Sequence, residues 1–217
     1  IDRHLRTRGD KTAILFEPNN PEEPSQHITY KQLHERVCKF ANVLKAKGIE
    51  KGDRVCIYLP MIPELAISVL ACARIGAVHS VVFAGFSATA LSTRINDCDA
   101  KMVITSDGSY RGAKTIDLKG IVDDALEDCS GVASVLVAKR IHSDITMKKG
   151  RDEWLQPLLD DAYSDCAIEV MDAEDPNGFS LSAQPHSNAS LWVNYSPLEL
   201  EALTIGAGIR YVGETVS

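Results

Sequence analysis

The residue pattern predicts an α/β fold, a βαβ-type parallel sheet with flanking helices, and three observations carry that prediction. Four short runs rich in β-branched and apolar residues recur along the chain: "DRVCIYL" (53–59), "AVHSVVF" (77–83), "KMVITSD" (101–107) and "ASVLVAK" (133–139). Between them lie segments with apolar residues at helical spacing, so strand and helix alternate as parallel strands joined by crossover helices require. With 217 residues, 45% hydrophobic and 24% charged, the chain is large enough to bury a core without disulfides or a structural metal.

The elements follow in order. "TAILFE" (12–17) reads as a strand, "PNNPEEPSQ" (18–26) as a polar Pro-rich turn and "HIT" (27–29) as the returning strand of a hairpin. Thr29 and Gln32 form a T-x-x-Q capping box, and Tyr30, Leu33, Val37, Phe40, Ala41 and Leu44 then recur at spacings of three and four until Gly48 stops the helix. After the strand at 53–59, Pro63 opens a second helix at the position where a missing N–H costs nothing. Ala66, Val69, Leu70, Ala73 and Ile75 make that helix apolar nearly all round, which suits burial between a sheet and a further layer. Helices are predicted again over "SATALSTRINDC" (87–98) and "DLKGIVDDALEDC" (117–129). "RDEWLQPLLDDAYSD" (151–165) predicts a short helix with Trp154, Leu155, Leu158 and Leu159 inward, bent or interrupted near Pro157. Beyond "DAEDP" (172–176) the next regular signal is "PLELEALTI" (197–205), an amphipathic helix at most.

Composition excludes several classes of partner. A formal net charge of −7 with no dense basic run argues against nucleic-acid or anionic-membrane surfaces. The longest apolar stretch, "ELAISVLACARIGAVHSVVFAGF" (64–86), is broken by Arg74, Gly76 and His79 and does not read as a membrane span. Six scattered cysteines show no metal or redox spacing, so they are expected to be buried thiols in a reducing compartment, the cytoplasm or an organelle matrix. The chain opens on Ile1 in sequence that reads as protein interior, and a fragment is the expectation.

In an open parallel sheet, ligands sit beyond the carboxyl ends of the strands. The loops to inspect are therefore "LPMIPE" (59–64), "FAGFS" (83–87) and "SDGSYRGAK" (106–114). Phe83, Ala84 and Gly85 combine aromatic faces with a residue that lets backbone approach a planar base, although the same stretch also reads as a helix N-cap at Ser87 with both Phe side chains in the core. Arg111 and Lys114 flank Gly112 and Ala113, two cations within reach of one phosphate or, equally, a solvated loop. On spacing alone the structural reading is preferred for both. His79 reads as a satisfied core histidine, and Asp172, Glu174 and Asp175 as a solvated turn. No Walker-type loop, G-x-G-x-x-G or G-x-S-x-G occurs, no catalytic residue can be assigned and no metal site is expected.

At "GDRVCIYLPMIPELAISVLACARIGAVHSVVFAGFS" (52–87) the chain closely resembles the N-terminal part of the AMP-forming acetyl-CoA synthetases, in the adenylate-forming ligase superfamily. The likeness runs from Ile1 to about Pro176 through "HITYKQL", "SDGSYRGAKTIDLK", "VDDALEDC", "GRDEWLQPLL" and "DAEDP". It implies the N-terminal portion of the large N-terminal domain of such enzymes over 1–176 and a chemistry in which ATP, with Mg²⁺, and acetate give acetyl-adenylate, from which CoA displaces AMP. By the same resemblance, Arg111, Gly112, Ala113 and Lys114 correspond to the segment holding the CoA 3′-phosphate. Phe83, Ala84 and Gly85 correspond to the segment beside the CoA adenine.

The family follows "AEDP" with a Gly/Ser/Thr-rich loop that holds the ATP phosphates. Here "NGFSLSAQPHSNASLWVNYS" (177–196) follows, with one glycine and no lysine. Residues 177–217 are therefore expected to be a divergent tail, frameshifted, mis-spliced or disordered, and the chain by itself to be inactive in adenylation. Two further readings remain open: a stand-alone CoA- or nucleotide-binding module, and a non-functional product exposing the apolar face of the Pro63 helix.

Overall fold

The computed structural model describes residues 1–20, 22–112 and 114–171, together with the strand backbone of 188–195 and 205–212. The chain divides into one unit over Ile1–Val170 and a second over Met171–Ser217.

In the first unit, α1 (Asp2–Arg8) precedes an antiparallel hairpin of β1 (Thr12–Phe16) and β2 (Gln26–Thr29). The helix α1 was not predicted. Next come α2 (Tyr30–Ala46), β3 (Arg54–Ile57), α3 (Pro63–Arg74), β4 (Val78–Val81), α4 (Ala88–Asp97) and β5 (Met102–Ser106). A second hairpin of β6 (Ser109–Arg111) and β7 (Lys114–Ile116) leads into α5 (Leu118–Ala125), a 3-10 turn at Leu126–Asp128, β8 (Ser134–Ala138), β9 (Asp152–Trp154) and α6 (Leu155–Asp161).

The α2 capping box forms as predicted: the Gln32 amide donates to Thr29 Oγ1 at 3.2 Å and the Thr29 amide to Gln32 Oε1 at 2.9 Å. Ser87 likewise caps α4 through the Ala90 amide.

A five-stranded sheet in the order β4-β3-β5-β8-β9 is parallel at every pairing. Side-chain alternation along its strands feeds two cores. Val55, Ile57, Met102, Ile104, Leu136 and Ala138 point to one face, where α2, α3 and Leu155 of α6 contribute Phe40, Leu44, Ile67 and Ala71. Cys56, Tyr58, Val103, Val135 and Val137 point to the other, covered by Leu91 and Ile95 of α4 and Leu118 and Val122 of α5. Burial on both faces explains why these strands read as nearly continuous apolar runs. Five of the six cysteines are buried and all are free, and burial pushes the Cys56 and Cys72 thiols up to about 12.

The structure corrects several expectations. The segment predicted as one helix over 151–165 is a strand followed by a helix. Asp152–Trp154 pairs with β8, and α6 starts at Leu155, so Pro157 sits in the first turn, where its missing N–H requires no bend. His79 is exposed rather than in the core, because β4 is the sheet's edge and the face carrying His79 and Val81 is open. The Pro63 helix is two-faced: Ile67, Ala71 and Cys72 are buried, Val69 and Leu70 half-buried, and Ala73 exposed.

A charged cluster that the sequence reading did not flag joins α5 to β9. Lys119, 1% exposed, donates to Asp123 at 2.6 Å, to Asp152 at 2.8 Å and to the Thr146 carbonyl at 3.0 Å, while Arg151 pairs with both carboxylates. Burial acts to raise the Asp152 carboxyl, but Arg151, Lys119 and the Lys148 amide outweigh it and hold the group below its usual range.

In the second unit, β10 (Asn188–Tyr195) and β11 (Ile205–Val212) form an antiparallel pair running from Asn188↔Val212 to Tyr195↔Ile205. Regular structure was not expected over 188–195, although "SLWVNY" (190–195) is rich in β-formers. The helix expected over 197–205 meets β11 at Ile205, and its other residues, like the turn at Asp172, Glu174 and Asp175, lie outside the described residues.

Candidate functional site

In the sheet order β4-β3-β5-β8-β9, the connection after β3 runs to one side, to β4, and the connection after the adjacent β5 runs to the other, to β8. The crevice beyond the ends of β3 and β5 is thus a topological switch point, where an open α/β sheet binds ligands. A cavity of about 400 Å³ lies there.

Every strand end around the crevice contributes to it. Leu59, Pro60, Met61 and Ile62 follow β3; Phe83, Ala84 and Gly85 follow β4; Tyr110 and Arg111 come from β6; and Arg140 follows β8. Phe16, Glu17 and Asn19 reach in from the β1–β2 hairpin. All three loops singled out in the sequence thus meet in one space.

The loop after β4 is held from below. Tyr58 is fully buried, and its hydroxyl donates to the Phe86 carbonyl at 2.7 Å; burial pushes its phenol up. The Gly85 amide turns back to the Phe83 carbonyl at 2.8 Å, and the Phe83 ring lies so close that a Cβ at Gly85 would sit 2.9 Å from Phe83 Cε1. Glycine leaves room for the ring in this position, and a larger residue would push the exposed Phe83 ring aside. Ser87 caps α4 as expected, but the Phe side chains are not in the core: Phe83 is 68% exposed and Phe86 38%, meeting edge to face at 6.1 Å. A bare aromatic face beside a cavity is free to stack on a planar ring.

The stretch read as a loop at Arg111, Gly112, Ala113 and Lys114 is the end of a hairpin. Arg111 and Lys114 are cross-strand partners, and Gly112 takes φ +61, a left-handed turn position natural to glycine. Pairing brings the two cations side by side on an exposed β-turn, with Arg111 lining the cavity. Gly112 lines a smaller adjoining space with Asn19, Asn20, Glu23, Tyr110 and Arg140; neither space includes Lys114, and Ala113 lies outside the described residues.

Sequence reasoning missed Arg140, Tyr110, Phe16 and Asn19. The strand-end rule applied to "ASVLVAKR" (133–140) finds Arg140; nothing local marks the N-terminal hairpin, which only tertiary contact brings to the crevice. Asp107, fully buried at the end of β5, sets the position of Arg140. Its Oδ1 accepts the Arg140 amide at 2.7 Å and the Ile141 amide at 3.1 Å, and its Oδ2 the Ser143 amide at 3.3 Å.

Among the described residues, no group of three or more His, Cys, Asp or Glu side chains is placed to hold a metal ion. No described helix is long and apolar enough to cross a membrane.

The arrangement offers aromatic faces, a hairpin with paired cations and a cavity sized for part of a nucleotide-like ligand. Comparison with known proteins shows the family. Acetyl-coenzyme A synthetase of Alkalilimnicola ehrlichii is 56% identical over 176 residues, 81% of this chain and 27% of that protein. Acetyl-coenzyme A synthetase 2 of Pseudomonas aeruginosa is 57% identical over 176 residues, with the same coverage. The chain thus spans about a quarter of the length of these relatives. The solved acetoacetyl-CoA synthetase from Streptomyces lividans superposes with a TM-score of 0.69 at 25% identity, covering 77% of this chain and 25% of that one. The family model described as AMP-binding enzyme matches residues 1–184, and with most of its length so matched, the chain belongs to the AMP-binding enzyme family.

Proposed function

We propose that this chain forms the CoA-facing N-terminal portion of an AMP-forming acetate–CoA ligase, over residues 1–176. The whole enzyme would convert acetate, ATP and CoA to acetyl-CoA, AMP and pyrophosphate through acetyl-adenylate. The observation that carries the reading is the convergence of Phe83, Ala84, Gly85 and Arg111 on one cavity at the switch point of the sheet, in a chain 56% identical to acetyl-coenzyme A synthetases. Phe83 supplies an adenine-stacking face. Arg111 and Lys114, side by side on the hairpin, supply charge for the 3′-phosphate, with Gly112 in the turn between them.

Adenylation is assigned elsewhere. The residues 177–217 contribute no lysine and carry glycine only at Gly178, Gly206, Gly208 and Gly213, a composition unlike a main-chain cradle for a triphosphate. Mg²⁺ enters with ATP as part of that substrate, and among the described residues no group of three or more His, Cys, Asp or Glu side chains is placed to hold it. The buried free thiols and the absence of a basic run fit a reducing compartment, the cytoplasm or an organelle matrix, and small-molecule substrates rather than nucleic acid or membrane. A second reading, a stand-alone CoA- or nucleotide-binding module, rests on the described residues that line the cavity, all of which belong to the first unit.

Calorimetry with CoA and dephospho-CoA tests the binding role. Arg111→Ala should weaken CoA by about 1.5 to 3 kcal/mol, the worth of a charge-assisted bond, and dephospho-CoA much less. Equal losses for both ligands remove the phosphate role from Arg111, and absence of CoA binding by the unaltered chain removes the reading.

A further inference from the structure

Four arginines among the described residues are buried or half-buried: Arg54, Arg74, Arg140 and Arg151. Three have carboxylate partners. Arg54 pairs with Asp99 at 2.6 Å, Arg74 with Asp2 at 3.0 Å, and Arg151 with Asp123 and Asp152 at 2.5 Å. Arg140 has none within ion-pairing distance among the described residues, although it lines both the main cavity and the space adjoining the β6–β7 turn.

Its guanidinium is nonetheless held in place. The ring of Phe16 lies 5.5 Å from it and that of Tyr110 5.3 Å, so the cation lies over one aromatic ring from each hairpin. One N–H donates to Asn19 Oδ1 at 2.6 Å, and the Arg140 backbone is fixed by Asp107. A guanidinium carries five donors; only one is engaged within the described residues, and a partly desolvated cation with free donors is a site for a planar or tetrahedral anion. The stacked partner Tyr110 is the residue before Arg111.

Resting on the CoA reading above, we propose that Arg140 is a second phosphate-binding residue of this cavity, completing with Arg111 the cationic recognition of the ligand's 3′-phosphate. The stack on Phe16 and Tyr110 makes it a preorganised donor rather than a mobile surface cation, so its side chain loses little freedom when the anion arrives. The residue is absent from the motif through which the sequence signals this site, because it comes from a different strand end.

The test compares CoA and dephospho-CoA binding to the 217-residue chain by calorimetry, for the unaltered protein, Arg140→Gln and Arg140→Lys. Arg140→Gln is expected to weaken CoA about tenfold or more, as loss of one charge-assisted bond implies, while changing dephospho-CoA less than about threefold. Arg140→Lys keeps the charge without the planar fork and is expected to fall between. Equal weakening of both ligands by Arg140→Gln, or no weakening of either, overturns the assignment while the CoA reading stands. Failure of the unaltered chain to bind CoA overturns both. A second measurement needs no variant: phenylglyoxal labelling of the unaltered chain, followed by mass spectrometry. CoA should protect Arg140 at concentrations where dephospho-CoA does not, and equal labelling with the two ligands overturns the proposal.

Discussion

Removing the Asp107 carboxylate should destabilise the first unit by an amount that its hydrogen bonds set. The side chain is fully buried and accepts three backbone amides, two of them on Oδ1. Ser143 is exposed, so its amide can turn to water when the carboxylate is gone. The Arg140 and Ile141 amides are half-buried. At about 1.5 kcal/mol for each hydrogen bond to a charged acceptor, Asp107→Ala costs about 3 kcal/mol. Asp107→Asn is expected to cost only about 1 kcal/mol, because it keeps the oxygen that serves both half-buried amides and loses charge and the longest bond. Urea unfolding measures the difference. The chain has two tryptophans, so a Trp192→Phe background leaves Trp154, packed on the second core beneath Lys139, as the reporter of the first unit. With a slope of about 2 kcal/mol/M, Asp107→Ala should lower the midpoint by about 1.5 M and Asp107→Asn by about 0.5 M. A fall below about 0.5 M for Asp107→Ala, or equal falls for the two variants, would refute the account of this residue as an acceptor that pins the β8 loop.

Two further outcomes follow from the charged groups of the same unit. Lys119→Met should cost about 3 kcal/mol, the low end for breaking a buried pair because Arg151 still holds both carboxylates, and the double variant Lys119→Met/Asp152→Leu should recover part of that loss in the same urea assay. Asp2 is held to a pKa of about 2 by the Arg74 guanidinium, opposed by burial. A folded value below the unfolded one means stability that is complete above about pH 4 to 5 and is lost as pH falls toward 2. Asp2 is more than a third exposed, so screening limits the effect to about 1 kcal/mol. The stability difference between the unaltered chain and Asp2→Asn should accordingly be constant from pH 5 to 7 and shrink below pH 4. A difference that does not change between pH 5 and pH 2.5 would remove Asp2 from the acid response.

The alternation of runs such as "DRVCIYL" and "KMVITSD" with helix-patterned segments was enough to specify a parallel sheet covered on both faces, because period 2 and period 3.6 are properties of the chain itself. The caps at Thr29 and Ser87 were equally legible, since a cap and its amide are three residues apart. Local spacing also marked three of the loops that line the cavity. What it could not decide is anything set by position within the sheet. Whether His79 is buried depends on β4 lying at the edge, and whether residues 152–154 are strand or helix depends on the open side of β8, where a backbone ladder outweighs helical spacing. The charge of Lys119 reads as a surface residue until Asp152, distant in sequence, is placed against it. Arg140 becomes part of a site for the same reason. Its partners Phe16, Asn19 and Tyr110 come from separate hairpins, and only closure of the tertiary structure sets a cation over their rings with no carboxylate partner among the described residues.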